Sequence, residues 1–164
     1  MNWYPWLVLA HVLGAFGFVL GHGVSVHAGF KLRAERDRAR IEALLDLSAM
    51  SLAMLYGSLL VLLAAGIAAG FVGDWWGQLW IWTAIGILAV IIVVMFAVAS
   101  PYYMGLRKAL GREGYEPKEG EPPPEPMSDE QLVATLQSTR PYWLAVVGGI
   151  GLVIIIGLMV LKPF

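Results

Sequence analysis

Residues 3–40 read WYPWLVLAHVLGAFGFVLGHGVSVHAGFKLRAERDRAR. From Trp6 to Phe30 the 25 residues include no Asp, Glu, Lys or Arg. A helix of roughly 20 residues crosses a hydrocarbon core about 30 Å thick, so this stretch predicts a membrane span. The segment from Lys31 to Arg40 then carries five basic and two acidic side chains. Lys and Arg gather beside spans on the cytoplasmic side, which makes this the expected cytoplasmic end. Trp3, Tyr4 and Trp6 form an interfacial belt at the other end, and Pro5 suits a first helical turn, where its missing N–H has no partner to lose. The apolar run is too long for a secretory leader, and the basic cluster follows it rather than leading it. An uncleaved first span with its N-terminus outside is expected.

Composition carries the same message over the whole chain. The 164 residues are 59% hydrophobic and 14% charged, against about half and about a quarter in a soluble domain. There is no cysteine, which excludes disulfides, thiolate metal sites, iron–sulfur clusters, c-type haem attachment and cysteine nucleophiles. A net charge of −1 without an extended basic surface predicts no nucleic-acid partner.

Working outward, spans are expected over about 5–30, 43–71, 79–100 and 142–161. The loop 72–78, VGDWWGQ, has no Lys or Arg and is anchored by Trp75, Trp76, Trp80 and Trp82. Arg107, Lys108 and Arg112 repeat the basic signal after span three, so both hairpin ends give one orientation, with both termini outside. Span three shows no polar stripe, and Pro101 is expected to end or kink it. Residues 113–127 are acidic and proline-rich and read as a cytoplasmic linker that buries no core. Ser128 and Gln131 make a capping box, opening a short amphipathic helix that lies at the interface through Leu132, Val133 and Leu136. The fold class is therefore all-α: one integral membrane domain, a four-transmembrane-helix bundle with this linker and short helix between spans three and four. Its expected partners are the lipid bilayer, a second copy of the chain, or another membrane protein.

Two residue types on the spans are out of the ordinary. Gly17–Gly21 and Gly66–Gly70 are GxxxG pairs, which in lipid let another helix backbone approach closely; they are the expected packing positions. All three histidines lie on span one. At 100° per residue His11, Gly14, Ala15, Phe18, His22, Ser25 and Gly29 share one face, with His27 roughly opposite. An ionisable group inside a span usually faces the bundle interior, so His11 and His22 are the candidate cofactor-binding residues. They stand about 16 Å apart along the axis, too far to hold one metal together. Met50 and Met54, one turn apart on span two, offer soft ligands that join His11 as candidate copper ligands. The structural alternative is an imidazole bonded to a serine or a backbone carbonyl of a neighbouring helix, with the methionines filling gaps. No HExxH, Walker, GxSxG or EF-hand pattern is present. Nor do the spans hold a pair of carboxylates or the broken repeats of a secondary transporter.

The segment LVLAHVLGAFGFVLGHG, the basic tail after it and the four-span layout resemble a group of small bacterial membrane proteins. These are distantly similar to the CopD-type copper-resistance membrane domain and the HemJ-type protoporphyrinogen oxidase. The resemblance covers mainly residues 7–40. It implies a bacterial cytoplasmic membrane, and it implies haem binding at the early span-one histidine, which by position is His11. The later spans lack the histidines and the intramembrane basic residue of those groups, so the resemblance brings no catalytic residue with it. Two functions are thus expected: a non-enzymatic scaffold or accessory subunit, or a handler of haem b or copper that uses the intramembrane histidines.

Overall fold

In hydrocarbon no water is available to the backbone, and a helix satisfies its N–H and C=O groups internally. The four apolar runs accordingly form helices. The computed structural model describes residues 2–110 and 128–164. The helices are α1 (Tyr4–Ala34), α2 (Arg38–Val72), α3 (Leu79–Ala109), α4 (Asp129–Leu136) and α5 (Arg140–Leu161), with no strand among the described residues. Four helical stretches are long and apolar enough to cross a membrane. The chain is an all-α bundle of the multi-pass membrane type. The linker expected over 113–127 lies outside the described residues.

Every span runs longer than the apolar run that announced it. Helix α1 continues through Lys31 and Arg33, and α2 begins at Arg38. Helix α3 neither ends at Pro101 nor stops at Ser100; it carries the proline inside and reaches Ala109. A proline costs one backbone bond, and helices packed beside it make that tolerable. Here Tyr102 and Leu106, just beyond the proline, are fully buried. The tight turn between α1 and α2 is held by two acids. The Asp37 carboxylate caps α2 by accepting the Arg40 amide at 2.9 Å. The Glu35 carboxylate accepts the amides of Arg36 and Asp37, which hold it below the usual carboxylate range.

The helices stand in a row, α2–α1–α5–α3. Helix α1 packs along α2, α3 along α5, and α1 meets α5 more lightly, while the outer members α2 and α3 come together at the basic end alone, through side chains. Outward faces carry exposed large apolar side chains such as Phe16, Leu60, Val93 and Val153, as lipid contact requires. The two ends of the row differ in chemistry. At the tryptophan end the Trp75 indole N–H donates to the Tyr4 hydroxyl at 3.0 Å, and the Lys162 ammonium sits 4.0 Å from the centre of the Trp75 ring. At the basic end a compact apolar core joins α1, α2, α3 and α4 through Leu32, Ile41, Leu45, Tyr102, Leu106 and Leu136.

Helix α4 is placed differently from the sequence expectation. Its capping box is present, with Ser128 Oγ accepting the Gln131 amide and Gln131 Oε1 accepting the Ser128 amide, both at 3.3 Å. But Leu132 and Leu136, one turn apart, are buried in the core of the basic end rather than spread on an interface. Arg33 of α1 donates to the carbonyls of Gln137 and Ser138 just past the end of α4, where carbonyls lack helical partners and a cation is favoured. An exposed pair, Arg38–Asp129 at 2.6 Å, adds little in comparison.

Candidate functional site

The histidine face of α1 splits between two neighbours. His11 Nδ1 lies 2.8 Å from the Leu62 carbonyl of α2. A carbonyl only accepts, so Nδ1 carries the proton and donates. That carbonyl is also the one the Gly66 amide reaches four residues on within α2, so His11 takes its second lone pair. Gly66 makes room for the ring: a Cβ there would stand 2.7 Å from Nδ1. The arrangement is a cross-helix hydrogen bond seated on a glycine.

His22 turns instead toward α5, where Gly148 accommodates it; a Cβ at 148 would stand 2.7 Å from the ring's Cε1. Among the described residues no hydrogen bond to the His22 ring is formed, and the ring lines a half-open cleft of about 500 Å³ between the two halves of the row. His27 is exposed on the far side of α1.

The predicted packing glycines meet different partners. Gly21 faces the backbone of Leu55 so closely that a Cβ would lie 3.1 Å from its Cα, and Gly17 faces the Ser58 side chain. Gly14 extends this seam, 2.7 Å from the Leu62 amide by the same measure. Gly66 and Gly70 do not join it: Gly66 admits His11 and Gly70 admits the Trp76 indole.

The structure does not bring the predicted metal ligands together. Met50 and Met54 are exposed on the outer surface of α2. Met54 precedes Leu62 by eight residues, so it lies about 12 Å along the helix from His11's partner, and Met50 lies about 18 Å away. Among the described residues no three His, Cys, Asp or Glu side chains group to hold a metal ion.

The cleft itself escaped the sequence reading. Its walls are mostly apolar, and its polar groups gather toward the basic end, where Ser25, Ser48, Tyr103 and Arg107 line it. Ser25 Oγ and Ser48 Oγ share a hydrogen bond of 3.0 Å, the Tyr103 hydroxyl donates to the Ser25 carbonyl at 3.2 Å, and Arg107 Nη2 donates to the Leu45 carbonyl at 3.4 Å. Ala99, Tyr103 and Arg107 recur every fourth residue and so occupy one face of α3. That spacing was the available signal, hidden because Tyr103 and Arg107 also serve as ordinary interface and topology markers. No known family model, curated protein or solved structure matches the chain.

Proposed function

We propose that the protein is a small non-enzymatic membrane protein, a scaffold or accessory subunit, of the bacterial cytoplasmic membrane with both termini outside. The observation that carries this reading is the environment of His11. The residue with the strongest sequence claim to chemistry bonds a backbone carbonyl of α2 and packs on Gly66, which is a structural use of an imidazole. The exposed apolar faces of the spans leave ample surface for lipid, a second copy or a partner span. The orientation rests on Lys and Arg collecting at one end of the row and six of seven tryptophans at the other.

A second reading, haem binding, is favoured by one observation: His22 lines the cleft with no hydrogen bond to its ring among the described residues, and Met95 of α3 lines the same cleft. Imidazole and thioether are the axial pair of many electron-transfer haems. His22, not His11, would hold the iron. Copper gains no such support, since Met50 and Met54 stand on the outer surface. The test is the visible absorption spectrum and metal content of detergent-purified protein from haem- and copper-replete cells. A colourless, metal-free protein is expected. A Soret band that disappears in His22→Ala would replace the accessory-subunit reading with the haem reading.

A further inference from the structure

A laterally open apolar cleft has a different meaning in a membrane from the one it has in water, because its surroundings are acyl chains. The cleft between α2 and α3 is within the size range of sites that hold drug-sized ligands, roughly 300–1,000 Å³, at about 500 Å³. Ile91, Ile92, Met95 and Phe96 line its deeper part from α3. Its basic end is different. Arg107 follows Leu79 by 28 residues, about 42 Å of helix, and a bilayer with its headgroups is about 40–45 Å thick. With Leu79 at the tryptophan interface, the guanidinium stands at headgroup depth on the opposite side.

Arg107 is also underused there. Its bond to the Leu45 carbonyl is long, at 3.4 Å, and leaves most of its five N–H donors to other partners. Among the described residues no side-chain ion pair to Arg107 is formed, and its hydrogen bond goes to a carbonyl. A guanidinium fork matches phosphate oxygens two at a time. The neighbouring segment from Lys31 to Arg40 carries five basic side chains against two acidic ones, an excess of positive charge that draws anionic lipid to this end.

We infer that the cleft is a binding site for an anionic phospholipid of the surrounding leaflet, one acyl chain lying between α2 and α3 and the phosphate held by Arg107. The inference goes beyond the accessory-subunit reading and does not depend on it. A zwitterionic lipid offers the same chains, but its own cation offsets the attraction of its phosphate. Discrimination between headgroups therefore isolates the part played by Arg107.

The experiment is native mass spectrometry of the full chain in mild detergent, given equal amounts of phosphatidylglycerol and phosphatidylcholine with matched chains. The wild type is expected to retain one phosphatidylglycerol in preference to phosphatidylcholine. Arg107→Gln is expected to lower that preference about fivefold, the effect of one cationic side chain at an anionic surface, and Arg107→Lys to keep most of it. Ala99→Trp, which fills the cleft wall, is expected to lose both lipids, while Val93→Trp on the exposed face of α3 keeps them. Equal retention of the two lipids by the wild type overturns the proposal, as does an unchanged preference in Arg107→Gln. A haem adduct released by Ala99→Trp overturns it too, in favour of the competing occupant. Should Ala99→Trp fail to fold, the Gln and Lys pair at 107 decides the matter alone.

Discussion

His11 and His27 carry the same ring on the same helix, and their surroundings separate them. His11 donates to the Leu62 carbonyl at 2.8 Å, while His27 is exposed. Removing the His11 ring does not orphan that carbonyl, because the Gly66 amide still reaches it within α2. What is lost is one cross-helix hydrogen bond and the packing of the ring on Gly66. Cross-helix bonds in membrane bundles contribute about 0.6 kcal/mol on average and about 1.7 kcal/mol at most. His11→Ala is therefore expected to destabilise the protein by about 1 kcal/mol, and His27→Ala by less than about 0.5 kcal/mol. Thermal unfolding in detergent reads the difference. If His27→Ala lowers the midpoint most, the inward face of α1 has been assigned wrongly. His22 belongs to neither case, since its ring meets Gly148 and the cleft rather than a backbone acceptor. Helix periodicity sets His27 apart from the other two, and in the structure His27 is exposed while His11 and His22 are half-buried. Periodicity does not distinguish a ring that bonds α2 from one that faces α5, because it gives a direction and not the identity of the neighbour.

Between elements, the α1–α2 seam is the closest helix approach the glycines record. A Cβ at Gly14 would stand 2.7 Å from the backbone of Leu62, and one at Gly21 would stand 3.1 Å from that of Leu55. Backbone cannot swing aside as a flexible side chain can. Gly21→Leu should therefore force α2 outward and destabilise the protein by about 1–3 kcal/mol, the range for overpacking. Its neighbour Leu20 is 60% exposed, so Leu20→Ala should change stability by less than about 0.5 kcal/mol. Equal unfolding midpoints for the two variants would remove the seam as a source of stability. The Gly17–Gly21 pair was legible because GxxxG spacing keeps both residues on one helix face. Gly66–Gly70 has the same spacing and a different use, admitting two aromatic or imidazole rings; the motif states that something approaches closely and not what. Helix ends were the least legible feature. Charge stops an apolar run but not a helix, so α3 passed through Pro101 and on to Ala109. Leu132 and Leu136 read as an interfacial stripe because a buried one-turn pair and a lipid-facing one look alike in sequence.

At the scale of the molecule, the cleft depends on which two spans stay apart beyond the basic end, and nothing in four similar apolar runs specifies that α2 and α3 form the open edge. The polarity of the ends, in contrast, is written locally and twice. The turn between α1 and α2 and the stretch that ends α3 both carry basic clusters in the sequence, and the structure brings that turn and Arg107 to one end of the row with α4 docked there. The other end gathers Tyr4, Trp75 and Lys162. Lys162 is the one basic residue there and Asp74 the one acid of its loop, so the imbalance in Lys and Arg lies wholly on the opposite side. Since that imbalance over short loops sets orientation, a reporter active only outside the cytoplasm should be active when fused after Phe164 and inactive when inserted at Ala34–Arg38. Moving the charge tests the cause. Replacing Lys31, Arg33 and Arg36 with Gln while adding three lysines after Asn2 should shift a substantial fraction of chains to the reverse orientation. A reporter that is inactive after Phe164 in the unaltered chain would reverse the proposed orientation, and with it the leaflet from which Arg107 draws its lipid.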